Sequence, residues 1–198
     1  MSFFGLLAEG FESALLPCSL ILLVPGTAVG LTARSAAIPA IASFSVAAVS
    51  LSWIRFADRG GGFSTLTIAA ALMVATILLL VPLVNRLDLA AIAAGLLAGG
   101  AAAELWRPCV GAEYGELLNQ LPARGYSGLG LQALYMFGTL APLVALAAIH
   151  HLIPDWILEK LEPVWSVIGG TALALLSVAT AVGLHDDLVG KLFEWSVS

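Results

Sequence analysis

The sequence predicts an all-α membrane protein. Six transmembrane helices would form two inverted three-helix repeats, with the first helix of each repeat broken by proline. Three observations lead to this reading. First, 60% of the 198 residues are hydrophobic and only 11% are charged, against roughly 25% charged in soluble domains. A chain this apolar cannot cover itself with a surface fit for water. Second, apolar runs recur six times between short polar connections. Third, both cysteines, Cys18 and Cys109, directly follow a proline inside an apolar run, a little under half the chain apart. Residues 1–198 read as a single transmembrane domain, with repeat 1 over about 1–86 and repeat 2 over about 87–190.

The first apolar segment runs from about Phe4 to Leu31 and carries Pro17, Cys18, Pro25 and Gly26. Proline removes a backbone donor and crowds the preceding turn, so a helix through it kinks or breaks. Thr32 to Ser35 is a short turn, and the second segment covers about Ala36 to Ala57. Asp58-Arg59-Gly60-Gly61-Gly62 is a polar, glycine-rich loop. The third segment, about Ser64 to Val84, is the cleanest span. It is long enough to cross a hydrocarbon core of about 30 Å.

Asn85 to Asp88 is a tight connection, and the fourth segment opens at Leu89. It is apolar to Ala103, turns polar at Glu104, Arg107, Glu113 and Glu116, and leaves the membrane near Asn119. Leu121 to Ser127 reads as a loop. The fifth segment covers about Gly128 to Leu152 with Pro142 inside it. Ile153 to Glu162 reads as a charged connection, and the sixth segment covers about Pro163 to Leu184. Three spans before Asp88 and three after it put the two halves in opposite orientations. That is the arithmetic of an inverted repeat, whose broken helices mark a working site near the midplane. Gly26/Gly30, Gly95/Gly99 and Gly111/Gly115 each have the small-x-x-x-small spacing that lets helices approach closely in lipid.

Composition also narrows function. The net charge of −5 is diffuse, and no basic cluster exists to bind nucleic acid. No Lys or Arg precedes the first apolar run, and proline before Cys18 spoils a lipoprotein cleavage site. The N-terminus is therefore expected to be retained. His150-His151 and His185-Asp186-Asp187 lie at span ends, where solvated polar residues belong, so no metal site is expected. Trp106, Tyr114, Trp156, Trp165 and Trp195 read as interfacial belts.

The cysteines are the candidate chemistry. A lone cysteine in a membrane helix is most often a small apolar filler. Two cysteines, both after proline and both at helix breaks, point instead to a function. A break exposes amide donors at the new helix N-terminus, whose positive pole favours a thiolate, the species that disulfide exchange requires. Arg107, two residues before Cys109, acts in the same direction, and Glu113 opposes it. Glu104 and Arg107 have the spacing of an ion pair on one helix face. Glu9 and Glu12 repeat that spacing, and the four read either as a polar lining of the site or as solvated residues at the membrane interface. As the only two thiols, Cys18 and Cys109 are expected to form a reversible disulfide with each other.

Leu16-Pro17-Cys18 with Pro25 downstream, together with Arg107-Pro108-Cys109-Val110-Gly111, resembles the transmembrane thiol-disulfide electron carriers of the CcdA/DsbD family. The similarity is closest to CcdA-like members without soluble domains, and covers nearly the whole chain. The chain departs from the family at Ser19-Leu20-Ile21, at Ala112 and at Arg107. The resemblance implies a catalytic pair, Cys18 and Cys109, with Pro17, Pro25, Arg107, Pro108 and Gly111 as supporting or hinge residues. It implies electrons taken from cytoplasmic thioredoxin and passed to extracytoplasmic thioredoxin-like proteins, often for cytochrome c maturation. It also implies a bacterial or archaeal cytoplasmic membrane, both termini outside, and no cofactor beyond the cysteines. Basic residues do not orient the chain, because they divide almost evenly between the two sides. The competing reading is a small-solute or ion transporter in which the cysteines are incidental and the glutamates carry a coupling ion. A quinone-coupled disulfide-forming enzyme ranks lower, since that chemistry relays electrons between two cysteine pairs.

Overall fold

A computed structural model of the protein describes residues 2–33, 36–58, 62–80, 87–107, 112–152 and 155–184, with positions 187, 190 and 191. The side chains of Asp58, Leu87, His150, His151, 155–159 and Glu162 are outside that description. Among the described residues the protein is helical and has no strand.

The first apolar segment does break at its proline. Helix α1 (Phe3–Ala14) begins at Ser2, whose hydroxyl accepts the Gly5 N–H at 2.9 Å. It ends ahead of Leu16, which the following proline holds in an extended conformation with ψ of 147°. Pro17–Ser19 form one 3-10 turn, and α2 (Leu20–Thr32) leaves at 83° to α1. Pro25, expected as a second break, is not one: α2 runs through it. Pro25 and Gly26 are buried, and Gly26 packs against Leu143 and Phe44. Packing on both sides keeps the helix continuous although one backbone donor is missing.

Helix α3 (Ala37–Asp58) matches the second segment, and α4 (Thr65–Leu80) is the described part of the third. Helix α5 (Leu87–Leu105) ends before Pro108, as the fourth segment required. The polar continuation is a separate amphipathic helix, α6 (Ala112–Arg124), which buries Tyr114, Leu117 and Leu121. The loop expected over Leu121 to Ser127 is shorter than that. Gly125, at φ +54°, closes α6 by donating to the Leu121 carbonyl at 3.2 Å, a left-handed cap that glycine makes without strain.

The fifth segment is broken where the sequence suggested continuity. Helix α7 (Ser127–Thr139) stops, and α8 (Ala141–Leu152) restarts at 56° to it. Pro142 is the second residue of α8, a position where a missing N–H costs little. The connection expected over Ile153 to Glu162 is mostly helix, because α9 (Asp155–Ala181) starts at its third residue.

Among the described residues three helices are long and apolar enough to cross a membrane: Ala37–Ala57, Asp88–Leu105 and Pro163–Ala181. The number rises to five if each bent pair, α1–α2 and α7–α8, is one span. Helix α4 is apolar but shorter.

Small residues set the seams. Helix α3 lies along α5, where Gly95 and Gly99 face the Ala40 and Phe44 carbonyls with no room for a Cβ. Helix α1 crosses α7 at Gly10 and Gly138, backbone against backbone. Helix α9 packs on α2 through Gly169 and on α4, where the Ser177 hydroxyl donates to the Ala69 carbonyl at 2.8 Å. In lipid such seams hold by close packing rather than by expulsion of water. Helices α1, α6 and α7 form one cluster, and α3 joins it to α5.

Candidate functional site

Cys18 sits in the 3-10 turn at the corner between α1 and α2 and is only 5% exposed. The corner is tied across its own bend. Ser19 Oγ donates to the Ser13 carbonyl at 2.6 Å and lies 3.1 Å from Ser13 Oγ, with both serines buried. Cys18 is in a disulfide. The chain has one other cysteine, Cys109. Cys109, Pro108 and Gly111 lie outside the described residues. Pro17 begins the turn, and Arg107 is exposed at the end of α5.

The second break is held from both ends by the first half of the chain. On the upstream side, Arg55 of α3 donates through Nη1 to the carbonyls of Ala103 and Trp106, each at 2.9 Å. These acceptors stand at the C-terminus of α5, where a helix leaves carbonyls without intrahelical partners and carries negative partial charge. On the downstream side, Glu9 of α1 receives the Glu113 N–H at 2.9 Å and the Tyr114 N–H at 2.8 Å. These amides open α6, where the polarity is reversed. The contact is mutual, because Glu113 Oε2 accepts the Ser2 N–H at 2.7 Å.

This changes the electrostatic expectation for the break. The positive pole of α6 was expected to favour a thiolate at Cys109. A carboxylate from α1 already takes two of its first amides. Glu9 was legible as an ionisable residue at membrane depth, but its partner was not. The function of Arg55 was missed altogether, because it looked like one more basic residue at a span end. Glu104 also has neighbours outside its own helix. Its carboxylate approaches Gly62, which has no side chain to obstruct it, and Arg55 is a charge partner for it.

Beside the break lies an aromatic core. The Tyr114 and Tyr135 rings are stacked with centroids 3.6 Å apart and planes 6° apart. Trp106 lies 6.4 Å from the first and 6.3 Å from the second, and Phe56 meets Trp106 edge-on at 6.3 Å. Trp106, Tyr114 and Tyr135 are fully buried. The interfacial role expected for Trp106 and Tyr114 is therefore wrong: helix breaks turn both rings inward, onto α7. Trp165 is partly exposed at 38%, and the side chains of Trp156 and Trp195 lie outside the described residues.

A buried polar chain crosses the same region. Tyr114 and Gln132 exchange hydrogen bonds at 2.9 and 3.1 Å, and Gln132 Nε2 donates to Ser52 Oγ at 3.1 Å. Burial pushes the Tyr114 phenol well above its ordinary range, with the Gln132 bond pulling the other way. The phenol is therefore neutral and able both to donate and to accept. The Tyr135 hydroxyl is buried facing Ser13 and Thr139 and makes no hydrogen bond among the described residues.

No group of metal ligands occurs among the described residues. The side chains of His150 and His151, and residues His185 and Asp186, lie outside them. The Cys18 sulfur, held in a disulfide, is a redox-capable group among the described residues. No protein-family model, no characterised protein and no solved structure matches the chain.

Proposed function

We propose that the protein is a transmembrane thiol-disulfide electron carrier of the CcdA/DsbD type, working through a reversible disulfide between Cys18 and Cys109. The observation that carries this reading is the disulfide of Cys18, buried at a sharp proline corner in a chain with a single other cysteine, itself after a proline. In the proposed cycle a thiolate of cytoplasmic thioredoxin attacks one sulfur of the pair, and the other sulfur leaves and takes up a proton. The second thioredoxin thiol then attacks the mixed disulfide and releases the pair as two thiols. An oxidised thioredoxin-like protein outside takes the same two electrons by the reverse steps, regenerating the disulfide.

Cys18 is nearly inaccessible when oxidised, so a soluble partner reaches the pair only after the corner opens. One pair serving two faces must open to each in turn, because a disulfide keeps its Cα atoms within about 7 Å while the core is about 30 Å thick. We place the carrier in the cytoplasmic membrane with six spans, two inverted halves and both termini outside. Reciprocal packing supports the inverted halves: α3 of the first half lies on α5 of the second, and α7 of the second on α1 of the first. The solute-transporter alternative needs glutamates free to hold a coupling ion. Glu9 and Glu113 both have backbone amides bound instead.

Single serine replacements test the reading. Cys18→Ser and Cys109→Ser should each abolish transfer from thioredoxin. At least one should accumulate a mixed disulfide with a partner, visible by non-reducing electrophoresis and mass spectrometry. Undiminished transfer in either variant, or two thiols that stay free in wild type after mild oxidation, sinks the proposal.

A further inference from the structure

We infer that Glu9 is a positioning residue that holds the disulfide of Cys18 closed, by stapling the helix that enters one cysteine break to the helix that leaves the other. The inference rests on the redox reading above and adds a regulator of the same site. Glu9 belongs to α1, the helix that runs into the Pro17–Ser19 corner. The two amides that it accepts belong to the first turn of α6, the helix that follows Cys109 in sequence. Glu113 returns the contact to the Ser2 amide at the start of α1. The first turn of α6 is thus tied to α1 at both Ser2 and Glu9, and each tie is a charge-assisted bond of the stronger kind.

Such a tie acts on redox equilibrium as well as on folding. The stability of a disulfide relative to two thiols depends on how often the thiols meet once the bond is open. A contact that keeps their segments together raises that effective concentration. Linkage makes the effect reciprocal: what the disulfide does for the contact, the contact does for the disulfide. Glu12 lies three residues further along α1 and is exposed, so it is a control on the same helix.

The experiment equilibrates the full-length protein in detergent with graded ratios of reduced and oxidised dithiothreitol. The two thiols of the reagent close to a cyclic disulfide and deliver two electrons and two protons to the cysteine sulfurs. Alkylation and mass spectrometry then give the oxidised fraction. Glu9→Ala should weaken disulfide formation about tenfold, a rise of about 30 mV in potential for a two-electron couple. Glu9→Gln, which keeps the shape and one acceptor, should weaken it less, and Glu12→Gln should leave it unchanged. Hydrogen exchange at the Glu113 and Tyr114 amides should quicken in both Glu9 variants. Equilibria of Glu9→Ala and Glu9→Gln equal to wild type would overturn the inference and leave the redox function standing. A shift as large in Glu12→Gln would do the same. A wild-type protein that closes no Cys18–Cys109 disulfide would sink both. If Glu9→Ala does not fold, Glu9→Gln alone carries the comparison.

Discussion

Arg55 shows how a charged residue is accommodated inside an apolar bundle. Its side chain leaves α3 and ends on two carbonyls that the α5 terminus would otherwise leave without partners. Buried carbonyls without partners are costly, and hydrogen bonds involving a charged group contribute about 1.5–3 kcal/mol each. Arg55→Ala should therefore destabilise the protein by about 2–3 kcal/mol, read as a lower unfolding midpoint in detergent. An unchanged midpoint would mean that water replaces the guanidinium and that the break is wet. The Tyr114 phenol sets a related expectation for pH. Its folded-state pKa is raised by burial above the unfolded value of about 10. Its contribution to stability is present below pH 10 and is lost as pH rises beyond it, because the unfolded state then releases the proton first.

At the scale of helices, glycine decides which surfaces meet. Gly99 faces the Phe44 carbonyl across the α3–α5 seam, whereas Gly130 of α7 has open space around it. Gly99→Leu should prevent α3 and α5 from closing and yield little folded protein, while Gly130→Leu should be tolerated. Equal yields of the two, measured by size-exclusion chromatography in detergent, would contradict the seam. The Gly95/Gly99 spacing was legible in the sequence, and the contact uses it. Gly10 and Gly138 lie in different helices and have no common spacing to read, yet they make a backbone crossing of the same kind. Proline carried less information than its chemistry suggests. Pro17 breaks its helix and Pro25 does not, because the second is buried and its neighbour Gly26 packs on Phe44 of α3 and Leu143 of α8, which hold the turn in place.

For the whole molecule, the two breaks are not simple copies. In the first half the amphipathic arm, α1, precedes the cysteine. In the second half the amphipathic arm, α6, follows it. The consequence is that both amphipathic arms gather against α7 on one side of the bundle. A carrier that opens to each face in turn should move these arms together. Membrane-impermeant thiol reagents should accordingly label the reduced cysteines from both faces of oriented vesicles, and the oxidised protein from neither. Labelling from one face under every redox condition would rule out alternating access and favour a one-sided enzyme.

Composition and hydropathy by themselves determined that the protein is helical and suited to a membrane. Local chemistry placed the corner at Pro17 and the ends of α3 and α5, because proline and charge act on the nearest turn whatever surrounds them. Tertiary structure alone decided the rest. It broke the helix at Leu140, kept α2 intact through Pro25, and turned Trp106 and Tyr114 into the core. It also brought Glu9 and Arg55 to opposite ends of a break some fifty to a hundred residues away in sequence. Those outcomes depend on which carbonyls and amides lack partners after the chain has packed, and a one-dimensional pattern does not contain that pairing.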